Sequence, residues 1–335
     1  MQRTLKIPAA IPKWAGVILS ALTFAATAEV ADNIKKSFAV AAGGTLIMDV
    51  DRGSIEIATG SSNDVSVEVI RKVDSFSRGR AEDILREHKI EFTQEGNNVR
   101  IYSRYQKDSW SFWGRRGPNL RVRYVLSTPK RYNADVKTSG GSITMSDLDG
   151  EVKARTSGGS LKFGRIQGPV WGRTSGGSIT LQACRQAVDV ETSGGSLKIG
   201  EVEGPVVART SGGSIEINRV KGNVIAKTSG GGIRVTEVFG KIDAATSGGS
   251  VSARLSSQPE GDCALKTSGG SIDVQLAEKI AVNLDASTSG GRVITDIPVT
   301  VQGELKRTAL KSKVNGGRPA LVLHTSGGNV HIRRL

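Results

Sequence analysis

Apolar residues recur along most of this chain in short alternating runs that glycine interrupts. Residues 210–227, TSGGSIEINRVKGNVIAK, place Ile215 and Ile217 two positions apart, and then Val224 and Ala226 two positions apart. A period of two is typical of a strand with one buried and one exposed face. Each such unit therefore predicts two short strands whose apolar side chains face one core.

Thr-Ser-Gly-Gly, the phrase that opens this unit, occurs ten times. The first six intervals between copies are 18 residues, the next two are 21 and the last is 37. A fixed period of this length indicates a solenoid, because one unit cannot bury its apolar side alone and neighbouring units must stack. The ten copies begin at Thr138, Thr156, Thr174, Thr192, Thr210, Thr228, Thr246, Thr267, Thr288 and Thr325.

Equivalent positions in the copies carry similar side chains: the column of Ile215 holds Ile, Leu or Val, and the column of Ala226 is mostly Ala, Gly or Val. These columns predict an all-β, single-stranded β-solenoid with coils of ~18 residues, in which about eleven coils stack at ~4.8 Å into a rod of roughly 50 Å. A left-handed hexapeptide helix also has coils of this length, but it needs three equal sides. The spacing here, two alternating pairs plus one residue, favours a right-handed or compact two-to-three-sided solenoid.

The repeated phrase itself predicts a corner between strands. We expect Gly-Gly to supply a positive φ at the turn, and Thr and Ser to bond nearby backbone groups or each other between coils. No Gly-Lys-Ser/Thr follows, so the phrase is not a phosphate loop. The aspartate of calcium-binding glycine-rich repeats is also absent.

The first 28 residues have the pattern of a secretory signal peptide. Arg3, Lys6 and Lys13 precede an apolar run over residues 14–25, and an Ala-x-Ala site ends at Ala28. The run is too short for a membrane-spanning helix, which needs about 20 residues. Cleavage after Ala28 predicts an exported chain, periplasmic or extracellular, with no transmembrane segment.

Between the signal peptide and the first exact repeat, residues 29–137 form a second region with irregular coils. Residues 43–60, GGTLIMDVDRGSIEIATG, have the pattern of a degenerate coil. Residues 77–92 predict a short amphipathic helix with Ala81, Ile84 and Leu85 on one face. We interpret the helix and the strands that follow it as a helix-and-hairpin cap, which keeps the end of the solenoid from pairing with another edge. Residues 138–335 then form the repeat solenoid, whose rhythm loosens toward the C-terminus.

The chain carries a formal charge of +14, three units of which lie in the signal peptide. In six of the ten copies, the residue before Thr-Ser is basic. Stacked at ~4.8 Å, well inside the Debye length of about 8–10 Å, these side chains predict a stripe that recruits anions: acidic polysaccharide, the phosphates of lipopolysaccharide, or extracellular nucleic acid. A merely solvated face is the alternative. The basic stripe consists of Lys137, Arg155, Arg173, Arg209, Lys227 and Lys266.

A second candidate contact surface is a loop rich in aromatic and basic residues. This aromatic loop carries Trp110, Phe112, Trp113, Arg115 and Arg116 in a chain with only 4% aromatic residues. Such a composition is typical of protein contact surfaces. Alternatively, the aromatic side chains fold back onto the first coil.

The sequence predicts no catalytic residue, no metal site and no cofactor. Of the three histidines, His88, His324 and His331, the two C-terminal ones have no nearby cysteine or cluster of carboxylates, and no nucleophile motif of the Gly-x-Ser-x-Gly kind occurs. A carbohydrate-active enzyme would need two carboxyls about 5–9.5 Å apart in a groove. The candidates for such carboxyls are Asp147, Asp149, Asp273, Asp285 and Asp296.

The two cysteines are predicted to stay unbridged. Cys184 and Cys263 both occupy inward apolar columns, so they act as small buried apolar groups. Their coils are about four apart, or roughly 19 Å. A disulfide needs Cα atoms within about 7 Å.

Serial Thr-Ser-Gly-Gly corners in a chain with a signal peptide, preceded by GGTLIMDVDRGSIEI, resemble the bacterial putative adhesin family, a domain of unknown function. The resemblance covers roughly residues 37–335 and implies a β-solenoid. It supplies no catalytic residues to transfer to this chain.

These observations predict an exported, non-enzymatic β-solenoid that binds, adheres or scaffolds at the cell envelope. Its expected partner is an anionic glycan or another envelope protein. One alternative is a carbohydrate-active lyase or hydrolase on a β-helix. Another is a purely structural or ice-binding rod, and ice binding would require the Thr side chains to form a flat outward array.

Overall fold

A computed structural model describes residues 28–75, 77–106, 119–301 and 306–335. Apart from one short helix, the regular secondary structure of these residues consists of strands, as the alternating pattern predicted. The N-terminal elements are β1 (Ala28–Ala39), β2 (Thr45–Val50), β3 (Ser54–Gly60), β4 (Asp64–Ser75), α1 (Arg78–Glu87), β5 (His88–Glu95), β6 (Asn98–Tyr105) and β7 (Leu120–Pro129).

The regular repeat contributes two strands per copy. They are β8 (Asn133–Thr138), β9 (Ile143–Met145), β10 (Val152–Arg155), β11 (Leu161–Ile166), β12 (Val170–Thr174), β13 (Ile179–Cys184), β14 (Val188–Thr192), β15 (Leu197–Val202), β16 (Val206–Thr210), β17 (Ile215–Val220), β18 (Val224–Lys227), β19 (Ile233–Val238), β20 (Ile242–Ala245) and β21 (Val251–Leu255). The C-terminal elements are β22 (Cys263–Thr267), β23 (Ile272–Leu276), β24 (Val282–Thr288), β25 (Val293–Thr295), β26 (Thr300–Val301), β27 (Ala309–Val314), β28 (Ala320–Thr325) and β29 (Val330–Arg334).

The strands form two long sheets that face each other across one core. Sheet 1 has 14 strands in the order β1-β4-β7-β3-β9-β11-β13-β15-β17-β19-β21-β23-β29-β25. Sheet 2 has 15 strands in the order β26-β27-β24-β28-β22-β20-β18-β16-β14-β12-β10-β8-β2-β6-β5. Each coil supplies one strand to each sheet and pairs in parallel with the coils above and below, which makes the chain a two-sheet β-solenoid of eleven coils in the described residues.

The core consists of the columns that the sequence predicted. Ile215, Ile217 and Val220 of β17 are buried, as are Val224 and Ala226 of β18. Val220, three residues after Ile217 on the same strand, lies in register with Val238. The two pairs plus one residue therefore build two sides of a coil, and two exposed residues interrupt the alternation once inside the sheet 1 strand.

The N-terminal end is closed by antiparallel strands on both sheets. β1, β4 and β7 extend sheet 1 from β3, and the hairpin of β5 and β6 extends sheet 2 from β2. The helix α1 packs against these strands through Ala81 and Ile84. The degenerate coil lies where the sequence predicted it, but the helix is shorter than predicted: it ends at Glu87, and residues 88–92 belong to β5. The cap's hairpin is formed by β5 and β6, because β6 and β7, the two strands predicted after the helix, lie in different sheets.

The glycine pairs of the corners are explained by close stacking. The expectation of a positive φ is wrong for the repeat, because the glycines with positive φ among the described residues are Gly43, Gly53, Gly96, Gly316 and Gly317. The second glycine of a corner instead lies directly over the same glycine of the preceding coil. A Cβ on Gly213 would lie 2.0 Å from the carbonyl oxygen of Gly195. Any side chain there must push two coils apart.

The threonine of each corner points into the protein and is buried. Thr174 donates a hydrogen bond from Oγ1 to the Gly159 carbonyl of the preceding coil, at 2.7 Å, and accepts one from the Gly177 N–H of its own corner. The bond to the preceding coil repeats from Thr156 to Thr325 along the stack. The threonine ladder therefore satisfies backbone groups that the turn leaves unpaired inside the protein.

The last coil of the chain is inserted between the two coils that precede it in sequence. β28 pairs with β22 on one side and with β24 on the other, and β29 pairs with β23 and with β25. We call β28 and β29 the wedged coil. The antiparallel strands β27 and β26 then close the end of sheet 2 beyond β24.

Both cysteines are free and buried, in different sheets and in the predicted columns. Cys184 aligns with Ile166 and Val202. Burial raises the pKa of both thiols. They therefore contribute to packing as the columns predicted.

Candidate functional site

The basic stripe forms a continuous column on the outward side of sheet 2. Lys137, Arg155 and Arg173 are direct register partners on β8, β10 and β12. The column continues through Glu191 to Arg209. Beyond these residues, the same column contains Lys227, Ala245, Lys266, His324 and Ser287. Each sheet 2 strand ends at a corner whose threonine is buried. Because side chains alternate along a strand, the residue before that threonine faces outward in every coil, and these residues therefore line up.

Carboxylates neutralise much of this stripe. Arg173 forms ion pairs with Asp189 at 3.0 Å and with Glu191 at 3.3 Å. Arg209 also approaches Asp189, at 3.8 Å. Two further pairs are Lys137 with Asp49, at 3.7 Å, and Lys227 with Asp243, at 3.3 Å. These exposed or half-exposed pairs lower the positive potential that the spacing alone predicted.

Two members of the stripe have no such partner within the described residues: Arg155 and Lys266. Arg155 lies between the equally basic Lys137 and Arg173. Lys266 lies between Ala245 and His324. Four of the six cations in the stripe are therefore paired with carboxylates, and unpaired positive charge remains at Arg155 and Lys266.

A second outward column runs beside the stripe, and sequence reasoning missed it. Its residues alternate with those of the stripe along each sheet 2 strand, and several are apolar: Trp171, Val207, Ile225, Ala264 and Val322. The Arg173 guanidinium lies 4.8 Å from the centre of the Trp171 ring, a cation–π contact. In the sequence, each of these apolar residues lies two positions before a residue of the stripe column. They can be recognised as one outward column only when the register of the sheet is known.

Four of the five carboxylates considered for a glycosidase role are engaged with cations, whereas the fifth, Asp296, is exposed and forms no ion pair within the described residues. Asp147 contacts Arg165 across one coil, at 3.7 Å. The remaining contacts of this kind are Asp149 with Lys130 at 3.8 Å, Asp273 with Arg333 at 3.2 Å, and Asp285 with Lys311 at 3.3 Å. Side chains held in this way serve as cross-coil ion pairs rather than as an acid and base facing each other across a groove.

A buried polar cluster lies in the N-terminal cap, and no motif in the sequence announced it. His88 accepts or donates a 2.8 Å hydrogen bond between Nε2 and the Ser103 hydroxyl, and Asp51 Oδ1 lies 3.9 Å from the same nitrogen. A catalytic triad would place serine and aspartate on opposite nitrogens of the ring, and Ser103 is fully buried. Burial lowers the pKa of His88 to about 4, although Asp51 acts in the opposite direction. The cluster is therefore a structural one with a neutral histidine.

Several predictions fall on residues outside the described part of the chain. The aromatic loop, with Trp110, Phe112, Trp113, Arg115 and Arg116, lies outside the described residues. The predicted signal peptide does so too, apart from Ala28, the first residue of β1. In residues 28–75, 77–106, 119–301 and 306–335, no three potential metal ligands cluster. No helix in that part of the chain has the length and apolar character needed to span a membrane.

Comparison with protein families gives one match. The family described as Toastrack DUF4097 matches residues 45–333, from the first residue of β2 to β29 in the wedged coil. The match therefore spans all eleven coils and the cap elements inserted among them. A search of curated proteins found no significant match.

Several solved structures are similar over most of the chain at low identity. A putative cell adhesion protein from Clostridium sporogenes is 12% identical, with 91% of this chain and 100% of that chain covered and a TM-score of 0.23. A putative adhesin from Bacteroides fragilis is 13% identical, with 91% and 97% covered and a TM-score of 0.27. A putative lipid binding protein from Parabacteroides distasonis is 11% identical, with 91% and 97% covered and a TM-score of 0.35. Likenesses of this size carry no argument about the function of this chain.

Proposed function

Because the chain belongs to the Toastrack DUF4097 family, we propose that it is an exported, non-enzymatic β-solenoid that binds an anionic glycan along the outward side of sheet 2. In this role the rod acts as an adhesion or scaffold protein at the cell envelope, in the periplasm or at the cell surface. The signal peptide pattern at residues 1–28 supports export.

The observation that carries this proposal is the register of the basic stripe. Parallel pairing stacks Lys137, Arg155 and Arg173 on successive coils about 4.8 Å apart, and Arg209 and Lys227 do the same beyond the coil of Glu191. That repeat is close to the length of one extended sugar residue, so an acidic polysaccharide lying along the rod meets successive side chains in step. Arg155 and Lys266 provide cations that need no rearrangement. Arg173, Arg209 and Lys227 exchange a surface carboxylate for a ligand anion at little cost, because exposed ion pairs contribute only about 0–1 kcal/mol.

Three features weigh against the alternatives. Four of the five candidate catalytic carboxylates are paired with cations, which leaves Asp296 without a second free carboxylate among the candidates. The threonines point inward, so the outward array that ice binding requires is missing from the corners. A purely structural rod would not need to keep cations in line, and the test below distinguishes that possibility.

The test replaces Arg155, Arg173, Arg209 and Lys227 together with Ser. We expect an unchanged circular dichroism spectrum, weaker binding to heparin and to acidic polysaccharides, and a shallower dependence of affinity on salt, because fewer counterions are exchanged on binding. The matched control replaces Lys162, Arg185, Lys198 and Arg234 with Ser, which removes the same charge from exposed positions away from the stripe. Equal binding by the two quadruple variants would show that only net charge matters and would reject the stripe.

A complementary variant uses the carboxylates that the structure revealed. Asp189→Asn with Glu191→Gln frees Arg173 and Arg209 from their partners. If the stripe is the binding surface, this variant should bind the polyanion more tightly than the parent, by roughly threefold to tenfold. An affinity unchanged by this double substitution would argue for a solvated face.

The aromatic loop is a second expected contact, suited to a protein partner of the envelope. Trp110→Ala with Trp113→Ala should reduce recovery of that partner by chemical crosslinking in intact cells. The same variant should leave polyanion binding unchanged. Loss of thermal stability without a change in crosslinked partners would indicate that the aromatic side chains pack on the rod instead.

A further inference from the structure

The wedged coil is buried between two other coils although it follows both of them in the sequence. β28 pairs with β22 and β24, and β29 pairs with β23 and β25. Within the residues that the structure describes, β29 is the last strand. The wedged coil can therefore leave its position and return to it without any later strand having to follow. We call the position between β22–β23 and β24–β25 the slot.

A hinge of five residues, 315–319, joins β27 to the wedged coil. Because β27 and β28 pair with opposite edges of β24, the hinge crosses over the start of β24. Two strand spacings of ~4.8 Å make this crossing about 10 Å. The six extended steps from Val314 to Ala320 reach roughly 20 Å. An extended hinge therefore has the length to place the wedged coil in the slot of a neighbouring rod.

The closed hinge has an unusual backbone conformation. Four successive residues have a positive φ: 48° at Asn315, 90° at Gly316, 79° at Gly317 and 85° at Arg318. Asparagine and glycine adopt such angles readily, but an arginine is strained there because of its Cβ atom. An extended hinge returns each of these residues to negative φ. Opening the hinge therefore releases strain at Arg318.

The contacts between the wedged coil and the slot do not depend on which copy of the chain supplies the coil. Thr325 donates a 2.7 Å hydrogen bond to the Gly270 carbonyl, and Thr288 donates one of 2.7 Å to the Gly328 carbonyl. The parallel pairing with β22 and β24 likewise involves no residue of β27. All of these contacts re-form when the same coil enters the slot of a second copy.

Hydrogen bonds at or near the surface hold the hinge closed. The Asn315 side chain donates to the carbonyls of Glu278 and Ile280, each at 2.8 Å. The Gln258 side chain donates to the Arg318 carbonyl at 3.2 Å. Because water replaces lost bonds of this kind, they oppose opening only weakly.

We propose that two copies of this chain exchange their wedged coils and form a domain-swapped dimer. β28 and β29 of each copy fill the slot of the other, and the two extended hinges connect the rods. Because the slot contacts are the same in monomer and dimer, the strain released in the hinge and the protein concentration set the balance between the two forms. This interaction goes beyond the polyanion surface proposed above, since its partner is a second copy of the chain.

The test refolds full-length protein from guanidinium chloride at low and at high protein concentration, in high salt so that charged surfaces do not associate. Size-exclusion chromatography with light scattering measures the fraction of dimer. We expect this fraction to rise with the concentration during refolding, and the isolated dimer to dissociate slowly on dilution, because a whole coil must leave the slot. No polyanion is present, so the result is independent of the stripe. Protein that stays monomeric at every concentration would overturn the proposal.

Two substitutions change the hinge in opposite directions. Gly316→Val places a β-branched residue at φ 90° in the closed hinge and should raise the dimer fraction about threefold or more. Arg318→Gly removes the strain and should lower the dimer fraction. The control is Gly96→Val, at φ 57° in the turn between β5 and β6, because an added Cβ meets no atom within 4 Å at either Gly96 or Gly316. Equal dimer fractions in the two valine variants would overturn the proposal.

Crosslinking identifies the coil that is exchanged without altering the hinge. Lys266 and His324 are exposed register partners on β22 and β28. In Lys266→Cys with His324→Cys, a short bismaleimide should join the two thiols within one chain in the monomer and between two chains in the dimer. The parent, whose two cysteines are buried, is the control for other crosslinks. Crosslinked dimers that separate into single chains in sodium dodecyl sulfate would show association through another surface and would overturn the proposal.

Discussion

The central coils, residues 138–255, and the C-terminal end, residues 263–335, use the same repeat but stack in different orders. In the central coils every strand pairs with the strands one unit earlier and one unit later. At the C-terminal end, β24 pairs with β28 rather than with β22, so the neighbour in space is not the neighbour in sequence. Each corner nevertheless keeps the same threonine bond, as Thr325 donates to Gly270 and Thr288 donates to Gly328.

This difference shows that the repeat specifies the packing between two adjacent coils, but not which two coils become adjacent in the stack. Every copy offers the same parallel edge and the same corner, so any copy can stack on any other. The order must come from connections: residues 277–281 pass over one coil position, and the long segment after β25 returns the chain to fill it. Until residue 335 has been synthesised, β22 and β23 present an open edge, which is the kind of surface that pairs with other strands.

The largest expected effect comes from removing the wedged coil. Ending the chain at Arg318 deletes Leu321, Leu323, Val330 and Ile332, all fully buried. At about 2 kcal/mol each, their burial is worth on the order of 8 kcal/mol. Because each coil contacts only its neighbours, we expect amide exchange in β24, β25 and β27 to become fast while β11 to β19 keep their protection.

Hydrogen exchange with mass spectrometry checks this expectation. The control ends the chain at Arg333, which removes two exposed residues and leaves the wedged coil in place. Uniform loss of protection through the central coils would mean that the two regions are one cooperative unit and would break the comparison.

The next effect concerns close packing at the corners, which should be equal in both regions. Gly159→Ala places a Cβ 2.1 Å from the Gly141 carbonyl, and Gly328→Ala places one 2.3 Å from the Gly270 carbonyl. Each should cost about 3 kcal/mol and lower the melting temperature by roughly 6 °C or more. In Gly158→Ala the nearest atom is 3.8 Å away, so this neighbouring control should be nearly neutral.

Calorimetry of the three variants decides the matter. A tolerated Gly328→Ala beside a damaging Gly159→Ala would indicate that the wedged coil is loosely seated. Equal melting temperatures for Gly158→Ala and Gly159→Ala would instead remove close stacking as the reason for the glycine pair.

A third effect is a pH dependence of stability that we expect in the N-terminal cap but not in the central coils. Burial lowers the pKa of His88 from an ordinary value of 6.5 to about 4, so the unfolded chain binds a proton that the folded chain does not. This contribution is fully present above pH 6.5 and is lost as the pH falls from 6.5 toward 4, by at most about 3 kcal/mol. Burial is the main cause of this shift in the His88 pKa; the charges of Asp51, Arg71 and Arg52 also act on the ring, and Ser103 is hydrogen-bonded to it.

Urea denaturation between pH 7.5 and pH 5 checks the sign. His88→Gln keeps a polar group but does not titrate, so its stability should vary less over this window. Exchange should accelerate first in α1 and β5, because the buried positions of the central coils carry no histidine, carboxylate or amine. A parent whose stability rises on acidification would contradict the neutral, buried state.

The smallest effect tests the threonine ladder in both regions. Thr174→Val and Thr325→Val each keep the side-chain shape and remove a 2.7 Å bond to the preceding coil. A buried carbonyl without a partner costs about 1–2 kcal/mol, and we expect the two costs to agree within error. Thr174→Ser keeps the hydroxyl and should recover most of the loss. A much larger cost at Thr325 in denaturant titrations would show that the wedged coil depends more on its corner than a central coil does.

The inward columns could be predicted from sequence because a strand has a strict period of two. Ile215 and Ile217 can face one core only if both point to the same side, and ten copies of the corner align them. The position of the corner was also predictable. Its mechanism was not, because the reason for Gly213 is a carbonyl in another coil rather than its own backbone angle.

The candidate site was predictable only in part. The line of cations from Lys137 to Lys266 follows from the repeat, but their neutralisation depends on Asp189 and Asp243 in the neighbouring outward column. Ion pairs between coils join residues on adjacent strands, so they become visible only with the register.

The sequence by itself determined which residues turn inward and where each coil bends, and it thereby determined the solenoid fold. Those properties depend on the alternation of side chains within a strand and on short-range turn chemistry, which are local. Only the tertiary structure decided the order of the last three coils and the cross-coil ion pairs. Identical repeats make many stacking orders nearly equal in local energy, so the choice among them falls to contacts between distant segments of the chain.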